Sequence, residues 1–162
     1  MTKTKEYTAS VEDYLEAIAF LSQDKHAARV SEISRALQVT MPSVSAALKK
    51  LSEEGLVEHE RYGYVRLTDE GKRIADDVWW RHETLRRFLV EVLDVVAETA
   101  DEDACRMEHS LSPDSLERLA KFLDFTLSCP RGEPEWLKGW QYFLEHGERN
   151  EERVTRCLRD ST

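Results

Sequence analysis

The chain has 162 residues, 41% of them hydrophobic and 34% charged, with a formal net charge of −9. That length suits one domain or two small ones, with apolar content enough for a core. No run approaches the roughly 18 apolar residues of a membrane span. The opening MTKTKEYTASVEDY lacks the apolar stretch of a secretory signal, and the cysteines (Cys105, Cys129, Cys157) are odd in number and widely spaced, as in a reducing cytoplasm. Secreted, membrane, collagen-like and wholly disordered classes are excluded.

The charge is uneven. Residues 1–73 hold 11 basic and 12 acidic side chains, a net of −1, whereas residues 74–162 carry a net of −8. An almost neutral segment joined to an acidic one implies division of labour, and a local basic face can still hold phosphates.

In chain order, Ser10–Ser22 reads as an amphipathic helix, with Val11, Tyr14, Leu15, Ile18 and Leu21 at helical spacing and Ser10 as cap. His26–Arg29 is a connector. Val30–Leu37 is a short helix, Gln38–Val39–Thr40 a turn, and Met41 or Pro42 opens a helix running to about Glu54 before Gly55. Leu56–Thr68 alternates and bends at Tyr62–Gly63–Tyr64, a short hairpin. This order is that of a winged helix-turn-helix. The segment Pro42–Leu51 contains no acid, ends in Lys49–Lys50, and shows the small residues Ser43, Ser45 and Ala46 outward, as a major groove admits. Arg61, Tyr62, Tyr64 and Arg66 decorate the wing.

Thr68–Asp69–Glu70 starts a long helix reaching about Leu93. Further helices are expected over about Glu102–Leu111, from Ser112–Pro113–Asp114 through Leu127, and from Trp136 to about Arg159 with a break near Gly147. The Trp136, Trp140, Tyr142, Phe143 stripe fits core or dimer packing, and Cys129 a structural role. The fold class is mainly α with one small hairpin.

Three groups carry metal-ligand chemistry. Asp13 and Glu16 are three apart on the first helix, His82 lies in the long helix, and Cys105, Glu108 and His109 stand at i, i+3 and i+4 in ACRMEHS. Taken singly, the acidic pair also fits a solvated helix face, and His82 a hydrogen-bonded core histidine. Together they offer six donors of mixed hardness, suited to a divalent transition metal. A thiolate favours Fe(II), Co(II), Ni(II) or Zn(II) over the harder Mn(II), carboxylates on the first helix favour Mn(II) or Fe(II), and Fe(II) satisfies both, so the balance leans slightly to Fe(II).

With these motifs in place, the chain resembles the diphtheria-toxin-repressor and manganese-transport-regulator family of metal-dependent bacterial repressors. The matching stretches are VEDYLEAI (11–18), ARVSEISRALQVTMPSVSAALKKLSEEGLVEHERYGYVRLTDEGKRIA (28–75), RHETLRRFLVEVL (81–93) and DEDACRMEHSLSPDSLERL (101–119). The resemblance implies a winged helix-turn-helix over 1–73, a helical metal-binding and dimerisation domain over 74–130, and a helical tail over 131–162 packed on it, without the SH3-like domain of the iron-type branch. It implies metal ligation by Asp13 and Glu16 (the manganese-type acidic pair), by His82, Glu108 and His109 (found in both branches) and by Cys105 (the iron-type cysteine). Arg86 and Asp101 stand where the iron-type branch has a carboxylate and a second histidine, which weakens its ancillary site here.

On the DNA side, Thr40, Pro42 and Ser43 match family positions near bases or phosphates. Arg29, Ser45, Lys49, Lys50 and Arg61 are expected to hold phosphates, with Tyr64 on the wing. The implied protein is a cytoplasmic homodimeric repressor on a double-stranded operator, with Fe(II) or Mn(II) as corepressor, controlling metal-uptake genes. A redox-responsive regulator using Cys105 and a metal-independent winged-helix regulator are the alternatives. An enzyme is not expected, since no paired Glu-x-x-His, HExxH, nucleophile elbow or phosphate loop occurs.

Overall fold

The computed structural model describes residues 7–23, 27–59, 63–128, 130 and 134–150. Arg61, Tyr62, Cys129 and Cys157 lie outside the described residues. The chain divides into two compact units between Arg81 and His82.

The first unit begins with α1 (Ala9–Ser22), which Thr8, not Ser10, precedes as the extended cap residue. The expected connector contains a strand, β1 (Ala28–Arg29), leading directly into α2 (Val30–Ala36). Two residues carry too little alternation to announce a strand. Its partner β3 is 35 positions downstream, pairing Arg29 with Tyr64. The hairpin strands β2 (Val57–His59) and β3 (Tyr64–Leu67) pair antiparallel, with Glu58 opposite Arg66, giving the order β1-β3-β2.

The turn between α2 and α3 (Met41–Glu53) follows the expected residues. Gln38 takes φ 54°, the left-handed region. Ser34 donates from Oγ to Val39 O at 2.6 Å and the Val39 amide returns to Ser34 O at 3.1 Å, closing the turn from both sides. Thr40 caps α3, accepting from the Ser43 amide at 3.4 Å, and Pro42 sits in the first helical turn, where its missing N–H costs nothing. Leu15, Ile18, Ile33, Val44, Leu48, Leu56 and Val65 are fully buried and form the core of this unit.

Helix α4 (Asp69–Arg87) starts at Thr68, whose Oγ1 accepts from the Gly71 amide at 3.1 Å and donates to Gly55 O at 2.8 Å. Gly71 is required here, because a β-carbon would overlap the Leu56 carbonyl oxygen. The cap and the glycine together seat the helix on the end of α3.

In the second unit the expected long helix does not stay α-helical to Leu93. After Arg87 it widens into a π-helical turn, Phe88–Val92, and Asp94 at φ 58° ends it. Helix α5 covers Ala97–Met107, earlier at both ends than expected from the charged DEDACRMEH stretch. Its buried row is Ala100 and Ala104, too small to stand out as an apolar stripe. They pack with Leu85, Leu89 and Leu116. Helix α6 (Pro113–Leu127) is capped by Ser112 as expected, through the Ser115 amide at 3.3 Å. Helix α7 (Glu135–His146) stops at Gly147, φ 73°, and buries Leu137 against Val92 and Leu123, with Trp140 packed alongside. Of its aromatic stripe, Trp136 and Phe143 are exposed. The described residues contain no helix long and apolar enough to cross a membrane.

Candidate metal centre and nucleic-acid interface

Glu108 continues the i, i+4 row set by Ala100 and Ala104, and all three are 0% exposed. It caps the C-terminus of α5, and His109 follows in the next turn. The expected helical face shared by Cys105, Glu108 and His109 therefore ends one residue early. Cys105 is exposed, one position off the buried row. Burying a carboxylate without partners is costly. Here Oε2 lies 2.9 Å from His82 Nδ1, and Oε1 lies 3.2 Å from His109 Nε2. One desolvated carboxylate is thus bracketed by two imidazoles, a nitrogen and oxygen donor set that suits first-row divalent metals.

His82 is buried in the first turn of the second unit. Its other ring nitrogen, Nε2, lies 3.2 Å from Asp101 Oδ1. The hydrogen bond with Glu108 is the largest influence on its titration, burial opposes it, and Asp101 adds to it. The result is pushed up from 6.5 to about 9. At neutral pH the metal-free protein holds an imidazolium at this point, with a proton on the Glu108 side. A divalent cation held by His82, Glu108 and His109 would take the place of that proton. The donor set of His82, Glu108 and His109, two imidazole nitrogens about one buried carboxylate, fits a divalent metal.

Asp13 and Glu16 lie half-buried on α1 in the first unit, three residues apart. Next to Asp13 on the same helix, Glu12 forms an ion pair that the sequence did not announce. Glu12 Oε1 accepts from Arg81 Nη2 at 2.7 Å, with the side chains only 13% and 15% exposed. It fastens α1 to the last turn of α4 within the first unit. No local pattern could reveal it, because its members are 69 positions apart.

The reading face of the first unit is exposed at Pro42, Ser43, Ser45, Lys49 and Lys50. Thr40 and Ser43 share a hydroxyl hydrogen bond of 2.9 Å, which positions both at the N-terminus of α3. Arg29 donates from Nη2 and Nε to the Tyr64 hydroxyl at 2.6 and 3.2 Å. That hydrogen bond holds the guanidinium of α2's cap residue to the wing strand. Lys49 is 4.0 Å from Glu53, an exposed pair of little energetic weight.

The family model described as the iron dependent repressor, N-terminal DNA binding domain, matches residues 6–65. The model described as its metal binding and dimerisation domain matches residues 68–137. An uncharacterised helix-turn-helix transcriptional regulator of Methanocaldococcus jannaschii is 37% identical over 116 residues, covering 71% of this chain and 93% of the relative. The regulator MntR of Oceanobacillus iheyensis is 37% identical over 118 residues, 73% of this chain and 80% of its own. Among solved structures, IdeR of T. acidophilum superimposes with a TM-score of 0.65 at 30% identity, covering 81% of this chain and 60% of that longer one.

Proposed function

Because the chain belongs to the diphtheria-toxin-repressor and manganese-transport-regulator family of metal-dependent transcriptional repressors, we propose that it represses metal-uptake genes when Fe(II) or Mn(II) is bound. The ligands are His82, Glu108 and His109, joined by Asp13 and Glu16 from α1 and by Cys105 from α5. The observation that carries this reading is the buried Glu108 carboxylate with an imidazole nitrogen at each oxygen. The matched metal-binding and DNA-binding family regions supply its context.

When bound, the divalent cation supplies positive charge and a coordination sphere that hold carboxylates, imidazoles and thiolate together. The chain's residues do the rest. His82 gives up the proton it holds against Glu108, so loading is coupled to proton release. Asp13 and Glu16, contributed by the helix that precedes the reading head, make its placement depend on the metal. The protein acts as a cytoplasmic homodimer. Its two α3 helices address half-sites about 34–36 Å apart on a double-stranded operator, so only one spacing of the heads fits both grooves. Ligation by Asp13 and Glu16 would shift the population toward that spacing, which is the corepressor role of the bound metal. Arg29, Thr40, Pro42, Ser43, Ser45, Lys49, Lys50, Arg61 and Tyr64 contact the DNA, with phosphate contacts dominating affinity. Donor hardness admits both metals, and the Cys105 thiolate tips the balance toward Fe(II).

The test is operator binding by the full-length protein, with promoter DNA of metal-uptake genes, in Mn(II) or anaerobic Fe(II) and in chelator. Tight binding with metal and a large loss with chelator is expected, and equal affinity refutes the corepressor reading. The exposure of Cys105 favours one second reading, a redox-responsive regulator. That reading predicts binding abolished by peroxide and indifferent to chelator.

A further inference from the structure

Asp101, which stands at the second-histidine position of the iron-type ancillary site, is not among the ligands proposed for this chain, yet its carboxylate meets the one ring nitrogen of His82 that Glu108 does not. The distances are 3.2 Å to His82 Nε2 for Asp101 Oδ1 and 2.9 Å to His82 Nδ1 for Glu108 Oε2. Arg86 Nε stands 3.7 Å from the same Asp101 oxygen, one helical turn beyond His82 on α4. A ring with an acceptor at each nitrogen cannot rotate without losing both hydrogen bonds. Asp101 is itself anchored from the helix that presents His82.

We propose that Asp101, held by Arg86, is the positioning residue of the metal centre, keeping Nε2–H of His82 engaged so that Nδ1 stays aimed at the Glu108 side as a donor. A carboxylate on the distal N–H of a ligating histidine fixes the ring orientation and raises its basicity, and its loss commonly weakens metal affinity about 10–100-fold. The geometry assigns that work to an aspartate that is 63% exposed. Surface accessibility does not prevent it, because the ring it holds is buried. The inference rests on the proposed ligand role of His82 and Glu108.

The experiment measures Mn(II) affinity of the full chain by competition with a fluorescent chelator, for wild type, Asp101→Ala, Asp101→Glu, Arg86→Gln and Glu108→Gln. Ring ¹⁵N spectra of His82 are recorded for each metal-free protein. Asp101→Ala is expected to bind about tenfold or more weakly and to shift the His82 Nε2 signal while backbone amide signals away from α5 stay in place. Asp101→Glu restores much of the affinity. Arg86→Gln weakens binding by a smaller factor, because it loosens Asp101. Wild-type affinity in Asp101→Ala, or an unmoved Nε2 signal, overturns the proposal. Tighter binding by Arg86→Gln also overturns it, since Arg86 would then be competing with the cation for a direct ligand. If Glu108→Gln binds Mn(II) like wild type, the ligand assignment itself has failed, a result distinct from failure at Asp101 alone.

Discussion

Replacing Glu108 by glutamine keeps the shape of a fully buried side chain and removes its charge. The hydrogen bond to Glu108 is the main reason His82 titrates at about 9 and not at 6.5. Burial pulls the other way, so in the variant the imidazole should fall back toward its ordinary range, with only Asp101 still supporting the charged form. The rise from 6.5 to about 9 corresponds to a few kcal/mol in favour of the charged imidazole. Solvent screening lowers this to about 2 kcal/mol for the Glu108 and Asp101 contacts together, net of burial. The sign follows from the direction of the shift. A folded-state value above the unfolded one stabilises the metal-free protein fully below about pH 6.5, and that stability is lost as pH rises through about 9. Metal-free wild type should therefore lose about 2 kcal/mol between about pH 6 and pH 9.5, and Glu108→Gln should lose much less. The assays are an NMR titration of the His82 ring and urea unfolding of the chelator-treated protein across that range. Wild-type His82 titrating near 6.5, or Glu108→Gln still titrating near 9, would refute the reasoning.

Because His82 holds a proton that metal must displace, the logarithm of Mn(II) affinity should rise by about one per pH unit from this residue up to about pH 9, as measured by chelator competition in a series of buffers. Gly71→Ala would gain about 1 kcal/mol from helix propensity alone. The overlap with the Leu56 carbonyl reverses the sign, and a net loss of about 2 kcal/mol or more should appear as a lower urea midpoint. Thr40→Ala removes the cap of α3 and should cost about 1 kcal/mol in the same measurement. Lys50→Ala should lower the slope of log affinity against log salt by about one on operator DNA, with little change in sequence preference.

Local chemistry was enough for the reading head. The Ser112–Pro113 start of α6, the turn at Gln38–Val39–Thr40, the proline at the head of α3 and the alternating hairpin are each set by neighbours within a few residues. The donor types at Glu108 and His109 were legible from their close spacing with Cys105 in ACRMEHS, whereas His82 taken singly also fitted a core histidine. Elements whose partners are distant in sequence were not legible. Strand β1 exists only because β3 supplies its hydrogen bonds, and the π-helical turn at Phe88–Val92 departs from the simple period of α4. Helix α5 begins at Ala97 because a row of alanines, silent in any hydropathy pattern, packs against Leu85, Leu89 and Leu116.

The amino-acid order alone thus determined which donors, caps and basic side chains the protein owns, because those properties reside in single residues and their near neighbours. Only the tertiary structure decided which of them meet. It carried the alanine row one step on to bury Glu108 and left Cys105 on the exposed side. It also set Asp101 on the second nitrogen of His82 and joined Glu12 to Arg81 across 69 positions. Burial and long-range hydrogen bonds depend on packing, and packing is a property of the whole chain.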